Sequence, residues 1–278
     1  MPPDSRNGEG TIGKLKFGYQ SLCWATYERE RIEVDRVARE IAEAGFRGVE
    51  FAHQLQHFHR VNDLDGLMRD LGLELASLAC TVSYQADDPM DETLARAEYA
   101  AARGVTDLMT VGGWGQDWRT KSDAQLKGVA HNLDAICERF RDRGLTTAFH
   151  PHLQTCCENT GDVERLLSFS THTHLCMDNA HFDLTGDNAA AFVRAHAERL
   201  GLAHVKDFEP VPGEEICGCE GRFCELGQGD LDVESFLDAL VDIGFSGWVV
   251  VELDRTTRTP LESATISAAY LRERGFMD

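Results

Sequence analysis

Residues 146–160 read TTAFHPHLQTCCENT, a strand-like run that ends on His150 and His152, with Thr155 and Glu158 just beyond. Other apolar runs end in the same way. GVEFAH closes on Glu50 and His53, LCMDNAH on Asp178 and His181, LAHVKD on His204, Lys206 and Asp207, and VVVELD on Glu252 and Asp254. Ionisable groups at the ends of buried segments are costly unless they pair or hold a metal. Mixed imidazole and carboxylate donors suit divalent ions such as Mn, Co, Zn or Fe. Two Glu, one Asp and one His around one ion would leave coordination positions open for substrate oxygens. Alternate residues of a strand face the same way, so His150 and His152 point together, as do Glu252 and Asp254. Any one of these side chains alone reads as a satisfied core group; the set reads as a metal centre.

A repeating scaffold must position them. Strand-like and helix-like segments alternate from end to end: KFGYQ before IEVDRVAREIAEAG, GVEFA before DLDGLMRDLG, ELASLAC before DETLARAEYAAARG, and DLMTVGG before a long helix over residues 122–143. Four further pairs begin with TTAFHP, HLCMDNA, LAHVKDF and WVVVELD. The helical segments carry apolar residues at three- and four-residue spacing, and most end on a glycine such as Gly45, Gly72 or Gly144. The strands are short and continuously apolar, as strands buried on both faces must be. Eight βα units predict a single (β/α)8 TIM barrel over residues 15–278, after a disordered leader of residues 1–14. The rival architecture, a doubly wound sheet, would carry a glycine-rich phosphate loop after the first strand, where QSLCWATYE stands instead. In a barrel the active site lies at the C-terminal ends of the strands, where the ionisable residues fall.

With 47 acidic and 27 basic side chains the net charge is −20, which argues against nucleic acid or an anionic membrane as partner. No run approaches the roughly 20 apolar residues of a membrane span, and the N-terminus has no apolar signal region. Nine irregularly spaced cysteines are not a disulfide framework in a chain of this length, and they fit a reducing cytoplasm. Cys217, Cys219 and Cys224 crowd into CGCEGRFC, but a structural zinc wants four ligands; the segment reads as a lid loop with free thiols. His53, His57 and His59 in HQLQHFHR are candidates for substrate contact or plain surface. Trp24, Trp114 and Trp118 offer flat walls for a sugar ring, or cover for the barrel mouth. With no Arg cluster or glycine nest near the strand ends, the expected ligand is an uncharged polyol ketone, not a sugar phosphate.

FHPHLQTCCENT, LCMDNAH, HVKD, FCELGQGDLD and WVVVELD resemble the xylose isomerase-like barrels, and among them most the inosose dehydratase branch. The resemblance runs over essentially the whole chain after the leader. It implies one divalent ion, Mn or Co favoured over Zn, Fe or Mg, held by Asp178, His204 and Glu252. The family's fourth ligand is a Glu at the tip of strand five. Here His150 stands there, so the role passes to Glu158 on the same loop, with His150 or His152 as alternatives. His150, His152, His181 and Lys206 then supply proton transfer and hold substrate oxygens, while Glu50, His53 and Trp114 contact the substrate. Chelation of a ketone and a neighbouring hydroxyl acidifies the adjacent carbon, and dehydration, isomerisation or epimerisation can follow. Histidine in place of the isomerases' paired glutamates favours dehydration, because an imidazole can take a proton and then deliver it to a leaving hydroxyl. The expected function is a metal-dependent lyase acting on a keto-polyol such as a keto-inositol, in a monomer or homo-oligomer. The alternatives are a sugar isomerase or epimerase, a 3-keto-glycoside lyase, and a non-catalytic sugar-binding protein.

Overall fold

The computed structural model describes residues 15–28, 33–52, 63–85 and 88–278; the expected leader and the HQLQHFHR histidines, His53 included, lie outside the described residues. The barrel strands are β1 (Lys16–Gln20), β2 (Gly48–Phe51), β3 (Glu74–Leu78), β4 (Cys80–Val82), β5 (Asp107–Gly112), β6 (Thr146–His150), β7 (His174–Asp178) and β8 (Leu200–Val205). Short strands β9 (Asp207–Glu209), β10 (Glu215–Ile216), β11 (Cys219–Glu220) and β12 (Arg222–Cys224) follow, and β13 (Trp248–Val251) completes the set. The main sheet is parallel, in the order β3-β2-β1-β13-β8-β7-β6-β5-β4. Its ends, β3 and β4, are one strand interrupted at Ala79, whose N–H bonds to the Phe51 carbonyl. The β3 half pairs with β2 and the β4 half with β5, so the sheet closes as an eight-position TIM barrel.

The helices are α1 (Leu22–Glu28), α2 (Val34–Ala44), α3 (Leu64–Leu71), α4 (Asp91–Ala101), α5 (Asp123–Phe140), α6 (Thr160–Phe169), α7 (Asn179–Asp183), α8 (Ala189–Ala195), α9 (Val233–Asp242) and α10 (Pro260–Glu273). Their ends follow local chemistry. Ser122 with Gln125, and Thr259 with Glu262, form capping boxes that satisfy the first N–H groups of α5 and α10. Gly45 closes α2 in the left-handed conformation, φ 102°. Among the described residues no helix is long and apolar enough to cross a membrane.

Apolar side chains fall into two clusters. The larger lies between strands and helices and takes one phase of each strand, including Phe149, Met177, Val205 and Val251. The smaller fills the barrel interior with the other phase: Met109, Ala148, Cys176, Leu202 and Val250, closed by Trp248. A Cβ on Gly48 would sit 2.6 Å from the Trp248 ring, so the closure at that end depends on a bare backbone. Two residues further along each strand, in the same inward phase, stand His150, Asp178, His204 and Glu252.

Candidate metal centre

Register brings the four together. Asp178 pairs with His204 across β7 and β8, and β13 runs along the other side of β8 with Val250 opposite His204. One ligand-capable atom from each of His150, Asp178, His204 and Glu252 lies within 4.8 Å of the others, and all four residues are buried. The D-x-x-H spacing is a helix cap. Asp178 Oδ1 accepts the backbone N–H of His181 at 2.9 Å, starting α7 and folding His181 back beside the cluster. Next to it, Asn179 bridges the end of β8, accepting the Lys206 N–H at 2.9 Å and donating to the Lys206 carbonyl at 3.0 Å.

The donor set fits a divalent ion. Among the described residues, each member holds one buried atom without a hydrogen-bond partner: His150 Nδ1, Asp178 Oδ2, His204 Nδ1 and Glu252 Oε2. The last two lie 2.6 Å apart but off the alignment of a hydrogen bond. Orphaned buried acceptors of this kind are rare and need an explanation, and a cation in their midst supplies it. His204 Nε2 faces Glu50 at 3.1 Å, and Glu50 in turn accepts from Gln20 Nε2 at 2.6 Å. Carboxylate support of this sort fixes the imidazole proton on Nε2 and turns the Nδ1 lone pair toward the cluster. Burial opposes a positive charge on His204, but Cys176, Glu50 and Glu252 outweigh it and hold its proton affinity well above the ordinary value. Burial also raises Asp178 to about 6, against the pull of Lys206. Glu50→Gln should weaken metal binding by roughly 10–100-fold, as loss of such support typically does. Metal titration monitored by calorimetry checks this, and unchanged affinity would remove Glu50 from the supporting role.

Beside the cluster stand His152, His181 and Lys206. The His152 and His181 ring centroids are 3.8 Å apart, and a ring nitrogen of each lies within 4.8 Å of one on His150. Burial pushes His150 and His181 well below the ordinary imidazole range, aided by His204 in the first case and by His152 and Lys206 in the second. His152 is lowered by burial and then by Lys206. Lys206 is fully buried and lies 3.0 Å from Asp254, 3.3 Å from Glu252 and 3.8 Å from Asp178. Burial disfavours its charge, yet these carboxylates prevail and keep it an ammonium. Over it lies the Phe223 ring, 4.6 Å from Nζ and 5.3 Å from the His181 centroid.

Phe223 comes from the CGCEGRFC loop. β12 returns antiparallel to β9, and β10 pairs with β11, so residues 207–224 fold as a double hairpin beside the site. All nine cysteines are free, and among the described residues Cys217, Cys219 and Cys224 join no metal-type cluster. Asp207 anchors the base of this lid. Its carboxylate accepts the backbone N–H groups of Phe208, Gly227, Gly229 and Leu231 at 2.8–3.2 Å. A Cβ on Gly229 would meet that carboxylate, which explains the glycine in GQGDLD.

Several expected residues are placed differently. Glu158, expected as the fourth ligand, lies outside the cluster; it accepts the Gln154 N–H and forms an ion pair with Lys121 at 2.5 Å. Gln154 adopts a left-handed turn, φ 62°, and His150 stands in the cluster instead. Glu50, expected at the substrate, is fully buried behind His204. Trp114 is 42% exposed and meets His152 edge-on at 5.5 Å, a position at the mouth. Trp24 is core, its indole N–H donating to Glu40, and Trp118 lies half-buried beneath Arg119. Sequence reading passed over Gln20, Asn179 and Phe223. The Asn in DNAH carried a usable signal, since an amide next to a capping Asp can serve two strands.

Comparison with known proteins agrees with the fold. The family model described as xylose isomerase-like TIM barrel matches residues 38–274. The chain belongs to that family. The inosose dehydratase of Clostridium beijerinckii is 24% identical over 94% of this chain and 97% of its own length. Among solved structures, the probable 3-DHS dehydratase AsbF of Bacillus anthracis superposes with a TM-score of 0.75 at 13% identity, over 94% of this chain and all of that one. A structure of the IOLI protein, solved with a bound zinc atom, gives 0.73 at 20% identity over 93% of this chain and 97% of that one. At these identities the structural likeness concerns the fold.

Proposed function

We propose that the chain is a divalent-metal-dependent lyase that dehydrates an uncharged keto-polyol, of which a keto-inositol is the type. The observation that carries this reading is the company of the cluster: the unligated groups beside it that can move a proton are imidazoles held neutral by burial. The similarity to inosose dehydratases over 94% of the chain supports the same substrate class. His150, Asp178, His204 and Glu252 would hold the ion, which when bound acts as a Lewis acid toward the ketone and a neighbouring hydroxyl.

This chain's own residues do the rest. A neutral imidazole beside the substrate accepts the α-proton. Once charged, it stands near the Lys206 ammonium and other imidazoles, which makes it a ready donor to the departing β-hydroxyl. Lys206 offers a fixed positive charge to the substrate oxygen that gains electron density, and Phe223 keeps water from that charge. Epimerisation would need proton movement on both faces. His152 and His181 pack against each other, and Glu252, although buried, is held well below the usual carboxyl range by Lys206 and His204, so it is a poor acid for a second face. That favours elimination.

Metal-loaded enzyme given a 2-keto-inositol or a 3-keto-glucoside should therefore form an unsaturated or dicarbonyl product absorbing in the near ultraviolet. In deuterated water, label should enter the carbon that lost its substituent, a hydroxyl from the keto-inositol or the aglycone alcohol from the keto-glucoside, when the enol ketonises. Clean interconversion of ketoses with no absorbing product would replace the lyase reading with an isomerase.

A further inference from the structure

We infer that His152 and His181 are locked in the same tautomer, with the proton on Nδ1, yet present opposite ends to the substrate: His152 a lone pair on Nε2, His181 a proton on Nδ1. The assignment follows from what each ring touches. His152 Nδ1 lies 2.6 Å from the carbonyl oxygen of Leu153. A carbonyl only accepts, so Nδ1 carries the proton and Nε2 is left as the only lone pair of the ring. His181 Nε2 lies 3.2 Å from Lys206 Nζ. An ammonium only donates, so Nε2 is the acceptor and the proton must sit on Nδ1, a buried atom with no partner among the described residues. Asp254, 3.0 Å from Lys206 Nζ, aims the ammonium and is a positioning residue that acts on His181 through Lys206.

The two rings, 3.8 Å apart, therefore divide the work. His152 Nε2 takes the α-proton; the C–H pair becomes the C=C bond of the enolate, and the carbonyl pair moves to oxygen. His181 Nδ1–H donates a hydrogen bond to a substrate oxygen and keeps its proton, since its lone pair is already engaged. When the enolate pair returns, a C=C bond forms toward the β-carbon. The C–O bond there breaks, and the hydroxyl leaves as water with the proton from His152. This division of roles rests on the dehydration reading; the tautomers do not.

Long-range proton–nitrogen correlation spectra of the uniformly 15N-labelled, zinc-loaded full chain test the tautomers directly. The two rings are assigned by loss of their signals in His152→Asn and His181→Asn. Both should show a protonated Nδ1 and a bare Nε2. A proton on Nε2 of either ring, or on both nitrogens, overturns the inference. Asp254→Asn and Lys206→Met should release the His181 tautomer, while His152 keeps its proton on Nδ1 against the Leu153 carbonyl; an unchanged His181 tautomer removes Lys206 as the lock. Should Lys206→Met fail to fold, the wild-type spectrum still decides. With substrate, His152→Asn should slow α-carbon exchange with deuterated water on the order of 10²–10⁴-fold, whereas His181→Asn should lower turnover with exchange retained. The opposite pattern overturns the division of roles. If the unaltered enzyme exchanges no keto-polyol proton at all, the dehydration reading fails while the spectra stand.

Discussion

Asp178→Ala and His150→Ala should each leave the purified protein almost free of divalent metal, while Glu158→Gln keeps about one ion per chain. Loss of a mere supporting group weakens binding roughly 10–100-fold, so loss of a direct ligand should weaken it by about 100-fold or more. Turnover should fall with occupancy. The fold should survive, because the packing of the barrel interior lies one layer below, at Ala148, Cys176, Leu202 and Val250. Elemental analysis beside circular dichroism separates metal loss from unfolding. Full occupancy in Asp178→Ala would overturn the centre. Metal lost in Glu158→Gln but retained in His150→Ala would restore Glu158 as the fourth ligand, against its present engagement by Lys121 and the Gln154 N–H.

The second large effect is expected away from the cluster. Asp207→Ala would strand the four backbone N–H groups that its carboxylate now accepts. Burial raises the Asp207 carboxyl and those donors pull it part of the way back, so the loss lies in unsatisfied donors more than in charge. Some of them would find water. A net destabilisation of about 3 kcal/mol is expected, which for a chain of this size lowers Tm by roughly 6–12 °C. Differential scanning calorimetry decides it; a shift under about 2 °C would mean that the lid base holds without this residue. Because Phe223 rides on the strand paired to β9, turnover should fall as well, with metal content unchanged.

The barrel was legible because alternation of elements, continuous apolar strands and glycine stops are local properties. The interrupted third strand was legible only as the single run ELASLAC, since its break at Ala79 reflects which neighbour each half bonds. Asp178, His204 and Glu252 were visible as carboxylate and imidazole at strand ends. The fourth member was not, because the choice between His150 and Glu158 depends on a loop path that no spacing encodes. A left-handed Gln154 and Lys121, from a different βα unit, turn Glu158 aside. Depth was equally hidden: Glu50 ends a strand like its fellows, yet its inward neighbours are Gln20 and His204. The roles of His152 and His181 depend on their partners, a carbonyl and an ammonium, and composition carries no trace of that.

The inward phase shared by Ala148 with His150, Cys176 with Asp178, Leu202 with His204 and Val250 with Glu252 sets how this protein can change by descent. A point substitution in the upper layer alters the donors and leaves the packing beneath untouched, so exchanging His150 for a carboxylate is a single, structurally quiet step. Insertion of one residue inside β6 is another matter. It would turn Phe149, now packed against the helices, toward the His150–Asp178–His204–Glu252 cluster and send His150 outward. Chemistry at this barrel mouth can therefore drift by replacement but not by changes of strand length, and variation in length is confined to the loops and helices around it.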